Sequence, residues 1–179
     1  MEENNWTYLS QILTNNFSKE DRLHFYMSEP NYAGNIIANL ANLPEFLRKP
    51  ILQKRLTEFF SMSQEDRKEI INNALQAGST IQFDKFSTLF KTWLEILCNF
   101  SEEQRITMFT TYIDEIVNNP QKIILFNLDG IFEIYLSLTQ EQRNIISNTM
   151  KKIINSLPAD FKKRLYFVIP ERARKEMDI

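Results

Sequence analysis

The sequence predicts an all-α protein, a right-handed α-solenoid of about nine to eleven helices in antiparallel pairs. Three observations predict this class. A segment with the chemistry of a helix start recurs at intervals near 38 residues. The apolar residues between its copies have the three- and four-residue spacing of helices. The 179-residue chain also contains only 3 Gly and 6 Pro, fewer turn residues than hairpin-rich β folds use.

The recurring segment consists of an apolar residue, Ser or Thr, any residue, Glu, Asp or Gln, and then Arg. Its four copies are Phe17–Arg22, Met62–Arg67, Phe100–Arg105 and Leu138–Arg143. They are separated by 45, 38 and 38 residues. An insertion around Pro30–Gly34 would explain the longer first interval, so the segment indicates one repeated structural unit.

Each copy has the features of a helix N-terminus. A hydroxyl at the N-cap accepts a hydrogen bond from a free backbone N–H of the first turn. A Gln three residues later completes a capping box, as Gln104 and Gln142 can. An acidic residue just before it favours the positive end of the helix dipole. The predicted N-caps are Ser18, Ser63, Ser101 and Thr139.

The helices follow from these caps in chain order. An atypical first helix contains Trp6, Leu9, Ile12 and Leu13. Later helices are predicted over about 50–60, 63–78, 84–98, 101–118, 121–136 and 139–157. Two short helices follow, with Pro158 and Pro170 at or near the N1 position. We therefore expect one domain, 1–179, with an N-terminal cap region at 1–30, repeats at 31–157 and closing helices at 158–179.

The apolar positions agree between units. A shift of 38 residues places Phe86 on Ile124 and Leu94 on Phe132. Equivalent helices are therefore expected to bury the same face. A two-helix unit of this length resembles HEAT-type repeats.

The C-terminal segments Leu157–Phe161 and Val168–Arg174 resemble the short helical units of two other proteins. These are the cytosolic N-domain of magnesium transporters and the flagellar switch protein. The resemblance implies a helical superstructure. It does not imply a transport role, because the transporter's nucleotide-sensing and membrane parts have no counterpart in this sequence.

Composition limits the chemistry. The net charge is −2 with one Cys and one His, so an internal disulfide and Cys-rich or multi-His metal sites are excluded. Three glycines leave no phosphate-cradling loop, and we predict no cofactor. The start MEENNWTYLS reads as neither a signal nor a transit peptide. The apolar run Ile123–Phe126 is far shorter than a membrane span. A cytoplasmic protein without membrane insertion is expected.

The C-terminal end is basic. Residues 151–179 carry eight Lys and Arg against four Asp and Glu. They form a candidate surface for an anion or a partner, or else a solvated helix face. The candidate residues are Lys162, Lys163, Arg164, Arg172, Arg174 and Lys175.

Two further sets recur in register. Arg67, Arg105 and Arg143, with Arg22 as a possible fourth, form either a positive ladder for an acidic partner or structural ion pairs. The expected acids of those pairs are Glu65, Glu103 and Glu141. Glu95 and Glu133, also 38 apart, are interpreted as a solvated face, because acid–base work would need burial or a charged partner to separate their pKa values.

The lone reactive side chains are interpreted as structural. Cys98 ends an apolar helix and is expected in the core. His24 lies in a different repeat and is expected at the surface. The 14 Phe, 6 Tyr and 2 Trp exceed what single helix faces need. They indicate either an exposed groove for a partner or burial on two sides.

These patterns favour a non-catalytic scaffold or adaptor that binds a protein partner, because solenoids present long continuous surfaces. The main alternative is binding of nucleic acid or another polyanion through the basic end, which salt would weaken steeply. An enzyme would need a constellation that the sequence does not contain, and an apolar cavity for a small molecule or lipid is a further alternative. The partner, the binding face and the oligomeric state stay open.

Overall fold

The structure is a computed structural model that describes residues 32–179. Four predictions lie outside this range: the cap at Ser18, Arg22, His24 and the helix around Trp6. Within the range the chain is all-helical, with nine α-helices, one 3₁₀ turn and no strand. The α-helices are α1 (Tyr32–Asn42), α2 (Glu45–Phe60), α3 (Gln64–Gly78), α4 (Phe83–Cys98), α5 (Glu102–Asn118), α6 (Leu128–Leu136), α7 (Gln140–Ser156), α8 (Ala159–Val168) and α9 (Glu171–Met177).

The three predicted caps in this range are confirmed. Ser63 accepts a hydrogen bond from the backbone N–H of Asp66. Ser101 and Thr139 form complete capping boxes with Gln104 and Gln142. The recurring segment therefore starts α3, α5 and α7 by the same chemistry.

Two predicted starts are wrong. α2 begins at Glu45 rather than near Pro50, because Pro44 is its N-cap and Pro50 is accommodated within the helix. The helix predicted over 121–136 begins only at Leu128. Residues 120–122 form a 3₁₀ turn instead. α8 and α9 confirm the two short closing helices, with Pro158 and Pro170 at the N-cap itself.

Gly78 was expected to end α3 from the C′ position. It is instead the last helical residue, and the C-cap is Ser79 in the right-handed region. A Cβ at Gly78 would lie 3.1 Å from two ring carbons of Phe126. The glycine is therefore required by the approach of this ring rather than by a left-handed backbone.

Helices pack mainly against the second helix along the chain. α2 contacts α4, and α4 contacts α6. Separately, α3 contacts α5, and α5 contacts α7. α4 also meets α7, and α5 meets α8, so the two series are joined. Ile96, Leu97, Met108 and Thr149 are the most completely buried large side chains, which places the centre of the core at α4, α5 and α7.

Candidate binding site

An apolar groove of about 300 Å³ lies among α3 to α9. Its lining is almost wholly apolar, and part of it opens to the surface. This volume is at the lower end of the range typical of ligand pockets. Representative lining residues are Phe90, Trp93, Ile116, Ile131, Met150 and Ala173.

Stacked aromatic rings of α4 form one wall of the groove. The ring centres of Phe86 and Phe90 lie 5.5 Å apart, and those of Phe90 and Trp93 lie 5.3 Å apart. Trp93 meets Tyr112 of α5 edge to face at 5.4 Å. The α4 residues recur at spacings of three and four, so one helix face presents them together. The surplus of aromatic residues in the sequence is thus concentrated at this groove.

The opposite wall is the segment 119–127 together with α6. Pro120 opens the 3₁₀ turn after α5. The side chain of Asn127 then accepts a hydrogen bond from the N–H of Gly130 at 2.9 Å, which starts α6 one turn and more beyond the predicted position. A Cβ at Gly130 would lie 2.3 Å from the ring of Phe83. The missing side chain therefore lets α4 approach α6 closely.

Apolar side chains continue from the groove to the protein surface. Ile123 and Phe126 line the groove, whereas Ile124 and Leu125 between them are 73% and 72% exposed. On α8, Val168 lines the groove and its neighbour Phe167 is 91% exposed. We call Ile124, Leu125 and Phe167 the apolar margin.

Two tyrosine hydroxyls accompany this apolar lining. Tyr135 bonds to the hydroxyl of Ser147. Tyr112 has no hydrogen bond to its hydroxyl among the described residues, and burial raises its pKa well above the ordinary value. Tyr112 therefore stays neutral across the physiological range.

Several of the predicted basic residues have partners within the chain. Arg172 pairs with Glu133 at 2.6 Å and lies over the ring of Phe132 at 5.4 Å. Lys175 pairs with Glu171 at 2.7 Å. These contacts offset charges that the sequence offered for an anion.

The other four candidates differ in their surroundings. Lys162 donates to the carbonyl of Asn155 at 3.3 Å. Arg164 lies 5.1 Å from the ring centre of Phe161, and Lys163 is exposed on the same helix. Arg174 lies 5.4 Å from the ring centre of Tyr166 and has a buried Nε without an acceptor.

Arg174 also lines a second, more open hollow of about 500 Å³ beside the groove. The two share Ile179. α9 separates them, since Ala173 and Met177 face the groove. The only predicted cation with an orphaned buried nitrogen in residues 32–179 thus stands next to the groove.

The recurring arginines are structural, but their expected acidic partners are wrong. Arg105 donates through Nε to the Thr149 hydroxyl at 3.1 Å and through a terminal nitrogen to the Phe100 carbonyl. Arg143 donates to the equivalent carbonyl, that of Leu138, at 2.9 Å. Both bonds reach the residue before the N-cap, so each arginine fastens the helix start that its own segment encodes.

Arg67 departs from this series. Its Nε is buried with no acceptor, although Thr111, in the register of Thr149, is buried on the neighbouring helix. The same 44-residue separation joins Arg48 and Thr92, whose Nε and hydroxyl are 3.2 Å apart. Bonds from an arginine to a threonine 44 residues on are therefore a repeated feature of the packing.

The remaining candidates have ordinary surroundings. Glu95 pairs loosely with Lys91 at 3.9 Å, and Glu133 with Arg172 as above. Burial raises the pKa of the Cys98 thiol, with nearby Arg105 opposing the rise. A nucleophilic cysteine needs the opposite shift. His24 lies outside the described residues, so the proposed Cys98–His24 separation stays a prediction.

Within residues 32–179 no group of three or more His, Cys, Asp and Glu side chains could hold a metal ion. No helix in that range combines the length and apolar character needed to cross a bilayer.

The chain matches no protein-family model, no curated protein and no solved structure. Its likeness to HEAT-type repeats and to the magnesium-transporter domain therefore stays a prediction.

Proposed function

We propose that this protein is a non-catalytic α-solenoid that binds a protein partner, and that the apolar groove receives the apolar side of an amphipathic helix from that partner. The observation that carries the proposal is the apolar margin. Three large side chains, Ile124, Leu125 and Phe167, stay exposed next to an apolar groove. Contiguous apolar surface of this kind is typical of interaction sites.

Two features support the solenoid arrangement. Each helix from α2 to α5 packs on the second helix after it, as helices of equivalent position do in stacked pairs. The Arg48–Thr92 and Arg105–Thr149 bonds repeat one separation of 44 residues. Right-handedness and antiparallel pairing belong to the same proposal.

The apolar margin favours a helix over a small apolar molecule. A small ligand within 300 Å³ would leave Phe167 and Leu125 in water. A helix that inserts residues at i, i+3, i+4 and i+7 into the groove covers its edges as well. Burying these side chains stabilises the complex by about 25 cal/mol per Å² of apolar surface.

Polyanion binding through the basic end is less well supported. Arg172 and Lys175 pair with carboxylates, and Arg164 and Arg174 lie over aromatic rings. The net charge of −2 adds no long-range attraction. Retention on heparin that persists above about 0.15 M salt would favour the polyanion and contradict our proposal.

Site-specific photo-crosslinking in the native host tests the proposal. A benzophenone amino acid at Leu125 should give an adduct whose linked peptide belongs to an amphipathic helix of another protein. The same probe at Gln53 is the matched control, since α2 contributes no residue to the groove and Gln53 is exposed.

A second variant ties the adduct to the groove itself. Ile131→Trp adds bulk inside the groove and should abolish the Leu125 adduct while circular dichroism shows a folded protein. Equal adducts from Leu125 and Gln53, or an adduct that survives Ile131→Trp, would contradict the proposal. A link to nucleic acid would do so as well.

A further inference from the structure

Arg174 is the one predicted cation in the described part of the chain whose charged group lacks an anionic or hydrogen-bonding partner while being partly buried. Its Nε has no acceptor and almost no contact with solvent. Its only described contact of the guanidinium is with the Tyr166 ring. An unsatisfied polar group of this kind is costly, and such exceptions call for an explanation from packing or from a ligand.

The acidic residues beside Arg174 are already engaged elsewhere. Glu171 pairs with Lys175 at 2.7 Å, and Asp178 pairs with Lys151 at 2.8 Å. Asp178 has a lowered pKa because Lys151 donates to it and is oppositely charged. With these two pairs balanced, Arg174 gives the hollow an excess of positive charge.

We infer that Arg174 receives a carboxylate of the partner, an Asp or Glu side chain on the same amphipathic helix that fills the groove. This inference rests on the proposed function and names the charge that the partner carries. A carboxylate that binds side-on accepts from Nε and a terminal nitrogen together, and so supplies the acceptor that Nε lacks.

The position of the hollow sets the pattern expected in the partner. The hollow meets the groove at Ile179, and Arg174 directly follows Ala173, which lines the groove. Residues three or four apart lie side by side on a helix surface. The partner should therefore carry its acid three or four residues from an apolar anchor, at one end of the apolar stripe.

The other orphaned guanidinium in residues 32–179, that of Arg67, gives no such indication. It belongs to the arginine series that fastens helix starts, and no groove residue is its neighbour in the chain. Only at Arg174 do an unsatisfied nitrogen, a hollow and the apolar groove coincide.

Selection from a random library tests the inference with a defined probe. A phage library of amphipathic helical peptides would be panned against the full-length chain, against Arg174→Gln and against Arg164→Gln. Arg164→Gln is the matched control, because it removes an equal charge that already lies over Phe161. Wild-type and Arg164→Gln proteins should both enrich an apolar anchor with an acid at three or four residues, and Arg174→Gln should enrich the anchor alone.

Peptides from the wild-type selection then give a quantitative reading. Changing the peptide's acid to its amide should raise Kd about tenfold for wild type, which corresponds to about 1.4 kcal/mol. The same peptide change should have no effect on Arg174→Gln. Arg174→Lys keeps the charge but loses the fork and should retain only part of the discrimination.

The outcomes separate the two proposals. Enrichment of apolar anchors without an acid, or an acid preference unchanged in Arg174→Gln, overturns the inference and leaves the groove as a helix site. Enrichment that is equal for wild type and Ile131→Trp overturns the proposed function itself. Because the acid and amide peptides are compared on the wild-type protein, the test remains decisive even if Arg174→Gln fails to fold.

Discussion

Helices α4 and α6 occupy equivalent places in the repeat, but only α4 is complete. Residues 83–89 of α4 correspond to 121–127, which lie outside any α-helix. Phe86 in α4 packs against Phe90 and Phe126, whereas its counterpart Ile124 is exposed. The repeat is therefore interrupted where the apolar groove opens. A binding site has been made by omitting two turns of one helix rather than by adding a loop.

The two helices also start differently. Gln82 precedes α4 without a side-chain cap, and the aromatic packing of that helix supports its first turns. Asn127 caps α6 through its side chain. Local chemistry thus sets the start of α6, and tertiary packing sets the start of α4.

The largest expected effect tests the contrast between Phe86 and Ile124 directly. Phe86→Ala removes a ring that contacts two other rings, and we expect a loss of about 3 kcal/mol in the free energy of unfolding. Ile124→Ala should change it by less than about 0.5 kcal/mol, because the side chain is solvated. Urea denaturation of both variants measures the difference. Equal losses would show that Ile124 is buried in solution and that α6 is longer than described.

Arg105→Ala gives the next largest effect. It removes bonds to the Thr149 hydroxyl and the Phe100 carbonyl, and we expect a loss of about 2 kcal/mol from two charged hydrogen bonds in a partly buried site. Arg172→Ala, the control, removes an exposed ion pair and should cost at most about 1 kcal/mol.

The Leu125 crosslink distinguishes a structural arginine from a binding one. In Arg105→Ala protein that remains folded, the adduct should form as in wild type. Unchanged stability with a lost adduct would mean that the arginine ladder meets the partner.

A smaller effect tests the start of α6. Asn127→Ala removes the cap that Gly130 N–H donates to, and we expect a loss of about 1 kcal/mol. Gln82→Ala at the equivalent boundary of α4 should be near neutral, since no side-chain cap exists there. Thermal melts followed by circular dichroism compare them. A larger loss from Gln82→Ala would reverse the assignment of local and tertiary control.

The sequence predicted most of the regular part of the fold because its signals are local. Ser101 and Thr139 each carry their capping partner three residues later, so a reader needs six letters to place the start of α5 or α7. The ends at Asn119-Pro120 and Leu157-Pro158 are equally local. Periodicity then gave α4 from its apolar spacing alone.

The shortened α6 was missed because the 38-residue period was allowed to outweigh weaker local signs. Asn127 followed by Asp129 and Gly130 is itself a helix start, and Pro120 is a plausible stop. The groove could be foreseen only as one of two alternatives for the surplus aromatic residues. Which side chains stay exposed, as Phe167 does, depends on packing between helices far apart in sequence.

The basic residues show a different limit. The sequence indicated a positive C-terminal end, but it could not show that Arg172 meets Glu133, 39 residues away. Nor could it show that Arg174 is left without an acid. Charge counts predict a field, whereas binding depends on which charges remain unpaired after folding.

The smallest expected effect concerns the attachment of α9 beside α6. The pKa of Asp178 is lowered because Lys151 donates to its carboxylate and carries the opposite charge. Lys151→Gln should therefore raise the pKa of Asp178 toward its ordinary value of 3.8, as followed by the carboxyl carbon shift between about pH 2 and 6. Since the folded-state pKa is the lower one, the attachment is present above the ordinary pKa and is lost as pH falls through the lowered value. Lys175→Gln, which removes the partner of Glu171 instead, should leave Asp178 unchanged. If Lys151→Gln also left it unchanged, α9 would be held by the apolar contacts of Ala173 and Met177 alone, and the boundary between groove and hollow would be insensitive to acid.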